Sequence, residues 1–320
     1  MLCSPLLRAV KTQVEGAALH VATKEAFAPL LSHNPHVEKV HLLKTSLKDL
    51  IYRLRAEKFD LILDLHHNTR TAVIKAALAT VPARAFPKLN LRKWVYVNFH
   101  QDWMGQRHIV DRYLETAESL GVVNDQLGLE MPLGPDADQV LQKLPSPFHR
   151  NFDALVLGAR QGTKKPVPEL LETICRQSPR PLVLVGGHED RDLGQHLAAL
   201  HPEQVWNAAG NASLQESAAL LRSCRKVVSP DTGMMHIAAA FQKPIYSLWG
   251  STTPRFGMFP YYGGNDPVGL HNERGSVWGE VPGLPCRPCS KIGFDRCPKD
   301  HFRCMTGQSA AAVLGWLNID

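Results

Sequence analysis

The stretch SPDTGMMHIAAAFQKPIYSLWGSTTP, Ser229 to Pro254, decides how the chain is read. Lys226, Val227 and Val228 lead as a buried strand into Pro230. Asp231, Thr232 and Gly233 then form a tight polar turn, and Met234 to Gln242 has the composition of a helix, with Ala238, Ala239 and Ala240 in a run. A new apolar run from Pro244 to Trp249 reads as the next strand. Strand, loop, helix and strand in this order form the unit of a parallel sheet. The first turn of such a helix leaves backbone N–H groups unpaired and carries the positive end of the helix dipole, which suits a diphosphate. A plainer account is equally open at this point: Asp231 or Thr232 is an N-cap and nothing more.

The same rhythm runs outward in both directions. In the first half, strands are expected at Ala18 to Thr23, Lys39 to Leu43, Phe59 to Leu65 and Ala83 to Phe86. Helices are expected near Leu47 to Ala56, Arg70 to Ala79 and His108 to Leu120. An irregular, Pro-bearing stretch from Met131 to Arg150 reads as an interdomain linker. Strands resume at Ala154 to Gly158, Pro181 to Gly187, Val205 to Ala209 and Lys226 to Ser229, with helices near Pro168 to Gln177, Asp190 to Leu200 and Leu214 to Ser223. The expected architecture is two consecutive doubly wound α/β domains facing a cleft, residues 1–145 and 151–305, followed by a C-terminal helix in 306–320. Ser4 and Pro5 make an N-cap and first-turn pair, so the chain opens on a helix with no strand before it.

At 320 residues the chain can bury two cores. An apolar content of 44% and a charged content of 21% describe a soluble globular protein. There is no apolar run of about 18 residues and no signal-peptide pattern, so a cytoplasmic protein is expected. The net charge of +6 favours an anionic partner. Of seven cysteines, Cys286, Cys289, Cys297 and Cys304 crowd near the C-terminus, with His301 among them. In a cytoplasmic chain this set suggests a structural zinc ion or reduced thiols before disulfides. The segment Pro87 to Trp103 interleaves Lys88, Arg92 and Lys93 with Trp94, Tyr96 and Trp103. That mixture suits a lipid–water boundary, a single-stranded nucleic acid, or a plain surface loop.

Four motifs together carry a resemblance: GARQGTKKPVP at Gly158 to Pro168, LVGGHEDRDLG at Leu184 to Gly194, SPDTGMMHIAAA at Ser229 to Ala240, and LWGSTTPRFGMFP at Leu248 to Pro260. With DLHHNTRT at Asp64 to Thr71, they resemble the ADP-heptose:lipopolysaccharide heptosyltransferases, glycosyltransferase family nine. The resemblance implies a GT-B fold of two Rossmann-like domains and an inverting, metal-independent transfer of heptose from ADP-heptose to the lipopolysaccharide inner core. It implies donor contacts from Thr163, Lys164, Glu189, Asp231, Thr232, Gly233, Met234 and His236, with Lys164 and His236 acting on the leaving diphosphate. His66, Asn68 and Arg70, at the carboxyl edge of the first domain's sheet, are the candidate contacts to an anionic acceptor, a Kdo or a heptose. The implied partners are ADP-heptose, that acceptor and the inner-membrane surface, touched peripherally, and no nucleic acid. A transferase of another sugar or a protein acceptor, or a non-catalytic sugar-nucleotide binder, are the alternatives.

The chain departs from the family's pattern at its start. Family members begin with a strand and a Gly-Asp loop whose Asp is the expected general base, and MLCSPLLRAVK aligns just after that loop. The base is therefore expected upstream of Met1. Two explanations compete: Met1 is internal to the natural protein, which is the expectation, or the chain is truly short and catalytically impaired. The chain as written is expected to bind donor weakly or fold poorly.

Overall fold

A computed structural model of the chain describes residues 1–105, 107–149 and 151–319. The first half contains α1 (Ser4–Gln13), β1 (His20–Lys24), β2 (Lys39–Leu43), α2 (Leu47–Ala56), β3 (Ile62–Asp64), α3 (Thr69–Ala77), β4 (Ala83–Ala85), α4 (Asn90–Phe99) and α5 (Ile109–Leu114). The second contains β5 (Asp153–Val156), α6 (Pro168–Gln177), β6 (Leu182–Val185), α7 (Arg191–Leu200), β7 (Val205–Asn207), α8 (Leu214–Ser223), β8 (Val227–Pro230), α9 (Gly233–Ala240), β9 (Ile245–Trp249), α10 (Pro267–Glu273), β10 (Val277–Glu280), α11 (Arg303–Thr306) and α12 (Ala310–Asn318).

The six strands of the second half are all parallel, in the order β10-β9-β8-β5-β6-β7. This is the doubly wound order, and its direction of winding reverses between β5 and β8. Every residue of β5, β6, β8 and β9 is buried, which is why these strands read as continuous apolar runs instead of alternating ones. Helices cover both faces. On one, Leu171 and Ile174 of α6 pack with Val313, Trp316 and Leu317 of α12, each contributing about 1.5–3 kcal/mol by leaving water. The carboxyl end of α12 is held by Lys226, whose ammonium donates to the carbonyls of Trp316 and Ile319 at 2.8 and 2.6 Å, complementing the negative end of the helix.

The first half is built differently. Its strands form two separate parallel pairs, β1 with β2 and β3 with β4. Among the described residues no ladder joins the pairs. Helix α1 instead packs its apolar face, with Leu6, Ala9 and Val10, into a core shared with Val110 and Leu114 of α5 and with the second half. Arg8 fastens it: its guanidinium forks onto Asp125 at 2.6 and 2.8 Å and reaches Glu130 at 2.9 Å.

Three expectations change. The segment Pro87 to Trp103 is not a loop throughout, since residues 90–99 are helical. The stretch Met131 to Arg150 is no loose linker either, apart from Arg150, which lies outside the described residues. It forms 3-10 turns at Ala137–Lys143 and Ser146–Phe148, and Met131, Ala137, Val140, Leu144 and Phe148 are buried in the shared core. Ser4 lies inside α1, whose N-cap is Cys3, and its hydroxyl accepts from the Glu130 N–H at 2.9 Å.

Candidate active site

The reversal of strand order puts the loops after β5 and β8 side by side, and the residues of two motifs meet there. The loop after β5 carries Lys164 on a 3-10 turn, Gly162–Lys164. The loop after β8 carries Asp231. Lys164 Nζ lies 2.6 Å from Asp231 Oδ2, with both side chains largely buried. The same oxygen accepts from Thr252 Oγ1 at 2.7 Å, from the loop that follows β9. Three loops of the sheet's carboxyl edge are thus tied at one carboxylate.

Asp231 is not a helix cap. Thr232 occupies the N-cap position of α9, and its side chain makes no capping hydrogen bond. The first N–H groups of α9 are left for a ligand or water. Gly233, the first helical residue, has open space where a Cβ would be. Met234 follows on the same turn, half-buried against the core. The capping account of the motif is not met, because neither Asp231 nor Thr232 caps α9 with its side chain.

His236 is buried beside this site. Burial holds its pKa down at about 3, helped by the positive charges of the N-terminal amine and Lys164. The ring is neutral at any physiological pH, and its Nδ1 is a buried atom with no hydrogen-bond partner. It offers a neutral donor or acceptor, not a cation.

Other expected contacts are placed differently. Thr163 lies next to Lys164, yet its hydroxyl is taken up inside the protein: it contacts Ser251 Oγ at 2.8 Å, donates to the Phe294 carbonyl at 2.9 Å and accepts from the Phe294 N–H at 2.8 Å. It braces the loop that carries Lys164. Glu189 is exposed on a 3-10 turn after β6, with its carboxylate folded over Gly187. The neighbouring Asp190 is the buried one. It accepts from the Gly187 N–H at 3.0 Å and meets Lys165 Nζ at 3.4 Å. A Cβ on Gly158 would overlap Asp190 Oδ2 at 1.9 Å, so the glycine is what admits the carboxylate. Asp190, Lys165 and Thr252 were not singled out from the sequence. The GG followed three residues later by Asp was the available sign of the first.

Across the cleft, Asp64 ends β3 and organises the next turn. Its Oδ1 accepts from the N–H groups of His66 and His67 at 3.1 and 2.7 Å, and its Oδ2 pairs with Lys75 at 2.8 Å. Lys75 and these N–H groups hold the Asp64 carboxyl below its ordinary pKa against the opposing effect of burial, which is the largest single influence. Asn68 is the N-cap of α3, its side-chain oxygen accepting from the Thr71 N–H at 3.1 Å. His66 is exposed, and Arg70 projects from the first turn of α3. Arg70 lines a cavity of about 430 Å³ together with Lys24 and Lys44, at the carboxyl ends of β1 and β2. The cavity holds three cations and one acid, Glu25. Lys24 and Lys44 were not anticipated from the sequence.

Helix α4 closes one side between the halves. Lys93 Nζ sits 5.7 Å from the ring centroid of Phe256, and Tyr96 meets the same ring edge-on. Burial, reinforced by Arg112, Lys291 and Lys88, lowers the Lys93 pKa to about 8. The remaining aromatics stay outside: Trp94, Phe99 and Trp103 are each more than half exposed, as is Leu91 at 70%. Among the described residues no helix is long and apolar enough to cross a membrane.

The cysteine-bearing tail lies against the loop after β9. Arg287 donates to the carbonyls of Gly250 and Thr252 at 2.6 and 2.7 Å. Cys286 Sγ is 3.6 Å from His301 Nε2, and burial together with the neighbouring thiols pushes Cys289 up to about 11. Among the described residues, no three of Cys286, Cys289, Cys297, Cys304 and His301 bring ligand atoms within 4.8 Å of one another.

A doubly wound sheet holding an uncapped helix start at its switch point, opposed across a cleft by a smaller α/β half, is the architecture of the GT-B fold. Solved structures share the fold: E. coli ADP-heptose lipopolysaccharide heptosyltransferase II matches 99% of this chain and 93% of its own at a TM-score of 0.71 with 19% identity. A glycosyltransferase family 9 protein from Veillonella parvula matches at 0.74 with 16% identity over 99% and 93% of the two chains. The chain belongs to glycosyltransferase family 9 (heptosyltransferase), whose model matches residues 47–276. Among curated relatives, lipopolysaccharide heptosyltransferase 2 of Salmonella typhimurium is 27% identical over 282 residues, 80% of each chain.

Proposed function

We propose that this glycosyltransferase moves heptose from ADP-heptose to the inner core of lipopolysaccharide, with inversion at the anomeric carbon. The observation that carries the proposal is the Lys164–Asp231–Thr252 cluster beside the uncapped start of α9. The names of the similar proteins, which act in lipopolysaccharide heptosylation, supply the sugar and the acceptor class.

In the reaction, an acceptor hydroxyl oxygen attacks the anomeric carbon, the bond from that carbon to the diphosphate oxygen breaks, and ADP leaves with the electron pair. The hydroxyl proton passes to a base. The negative charge that grows on the leaving oxygen is met by the Lys164 ammonium and the N–H groups of α9. Asp231 turns Lys164 toward that charge and has room to accept from a sugar or ribose hydroxyl. His236, neutral, adds a hydrogen bond to the phosphate without adding charge. With these groups taking the phosphate charge, the transfer is proposed to need no metal. A zinc ion on Cys286, Cys289, Cys297 and Cys304 would be structural, and would require the sulfurs to draw closer.

The acceptor is proposed to lay an anionic group in the cavity of Lys24, Lys44 and Arg70, with His66 beside it. Leu91, Trp94, Phe99 and Trp103, with Lys88 and Arg92, are proposed to rest on the cytoplasmic face of the inner membrane, where the acceptor is anchored.

The test is release of ADP on mixing the protein, with any upstream segment the natural protein carries, with ADP-heptose and a Kdo-terminated core acceptor. ADP release that depends on the acceptor, with UDP- and GDP-sugars inactive, is the expected result. Preference for another nucleotide sugar, or transfer only to a protein, would replace the proposal with a different transferase of the same fold.

A further inference from the structure

On the β1–β2 pair, set back from the carboxyl ends that line the cation cavity, two imidazoles and a carboxylate converge. His20 opens β1, His41 lies on β2, and Glu57 follows the last residue of α2. In the parallel register His20 faces Lys39 and Ala22 faces His41, so the two histidines share one face of the pair. His41 Nε2 is 3.2 Å from His20 Nδ1. Glu57 places Oε2 3.7 Å from His20 Nδ1 and Oε1 3.9 Å from His41 Nε2. The Phe59 ring stands edge-on to both imidazoles, with centroids 5.3 and 6.2 Å away.

These separations have a chemical meaning. Ligands bound to zinc at 2.0–2.1 Å in a tetrahedron stand about 3.3–3.4 Å apart. The two ring nitrogens are already at that spacing, and each stands within a few tenths of an ångström of it from one of the two Glu57 oxygens, so a small turn of the carboxylate completes three corners of such a tetrahedron. Two imidazoles and a carboxylate are also the donor set that borderline divalent metals take. The His41 side chain is only 2% exposed, whereas His20 and Glu57 are partly exposed, so the remaining corner opens toward water.

We propose that His20, His41 and Glu57 form a zinc-class metal site that clamps β1, β2 and α2 together. A two-stranded sheet is at best marginal by itself, and among the described residues no further strand pairs with β1 or β2. A metal bridging both strands and the end of α2 supplies a cross-link at the edge away from the acceptor cavity. Lys39, which pairs with the Glu57 carboxylate, must release that oxygen to the metal. Its side chain is 54% exposed and free to swing into solvent.

The test uses the full chain after removal of metal with a chelator. Zn2+ is titrated calorimetrically, and Co2+ is used as a spectroscopic substitute. One equivalent of Zn2+ is expected to bind and raise the melting temperature, while Co2+ gives visible d–d bands without the intense near-ultraviolet band of thiolate ligands. Binding is expected to persist in Cys286→Ser/Cys289→Ser and to weaken at least about tenfold in His20→Gln and in Glu57→Gln. Both residues are partly exposed, so these variants should fold. The proposal is overturned if Zn2+ fails to bind, or if binding is unchanged in both His20→Gln and Glu57→Gln. A thiolate spectrum that disappears with the cysteine variant, leaving nothing behind, overturns it as well.

Discussion

Lys164 and Asp231 neutralise each other across a largely buried 2.6 Å contact. In the proposed donor complex, a diphosphate beside α9 would give the Lys164 ammonium a second anion. Replacing Lys164 with Ala removes the cation facing the leaving oxygen and leaves Asp231 with Thr252 alone. We expect Lys164→Ala to lower kcat/KM by about 10²–10³-fold, the size seen when one preorganised charge stabiliser is lost, with Lys164→Arg recovering part of it. Steady-state ADP release would show this, and a loss under about threefold would remove Lys164 from the chemistry. Residue identity made Lys164 and Asp231 legible in the sequence, because both sit in short polar motifs between apolar strands. Thr163 and Glu189 sat in the same motifs and are used differently: one hydroxyl is absorbed by the tail, and one carboxylate is turned outward while its neighbour Asp190 is drawn in. Motif membership places a residue near the site. Which way its side chain turns is settled by neighbours distant in sequence.

At the scale of elements, the start of α9 is open by construction. Gly233 has a φ that any residue can adopt and empty space at the Cβ position, so Gly233→Ala should fold as well as the parent protein or slightly better, given alanine's helix preference. The added methyl group would stand where a phosphate approaches the helix. We expect the melting temperature to be unchanged or slightly raised while affinity for ADP falls about tenfold, a separation readable by calorimetry alongside a thermal melt. Unchanged affinity would move the phosphate elsewhere. The buried strands β5, β6, β8 and β9 and helices α2, α6 and α8 were legible because apolar runs and helical periodicity are strong there. Strand β10 was not. It carries Gly279, whose Cβ would strike the Tyr246 ring at 2.5 Å, so close packing on β9 selects a residue that sequence reading counts against a strand. The turns of residues 137–148 were hidden by prolines, although Ala137, Val140, Leu144 and Phe148 recur at helical spacing. Helix α4 was obscured because its exposed face carries aromatics and one of its two charged residues, Lys93, is turned inward.

At the scale of the whole molecule, folding buries His108, His236 and His271 as neutral rings. Burial lowers His108 and His236 to about 3 and His271 to about 4, from an ordinary value of 6.5. His108 joins the halves, donating from Nε2 to the Phe259 carbonyl at 2.9 Å while Nδ1 accepts from the Val110 N–H at 3.2 Å, which requires the neutral ring. The sign follows from proton counts. Below 6.5 the unfolded chain binds protons that the folded chain refuses, so stability is complete above that pH and falls as the pH drops toward 4 and then 3. Each histidine contributes up to about 1.4 kcal/mol per pH unit in that window. The urea midpoint is therefore expected to fall clearly between pH 7 and pH 5, before most carboxylates titrate. A midpoint that stays constant over that range would mean that these rings are not buried neutral.

The hydroxyl of Thr163 and the guanidinium of Arg287 bind the cysteine-bearing tail to the loops that carry Lys164 and Thr252. Coupling of this kind runs in both directions with the same factor. In the proposed donor complex, disorder of residues 286–294 is expected to weaken the grip on the diphosphate, and a bound diphosphate is expected to hold the tail in place by an equal amount. The tail would then share in donor binding although none of its side chains need touch the sugar nucleotide, and occupancy of the proposed donor site should be readable from how slowly the tail's amide hydrogens exchange with solvent.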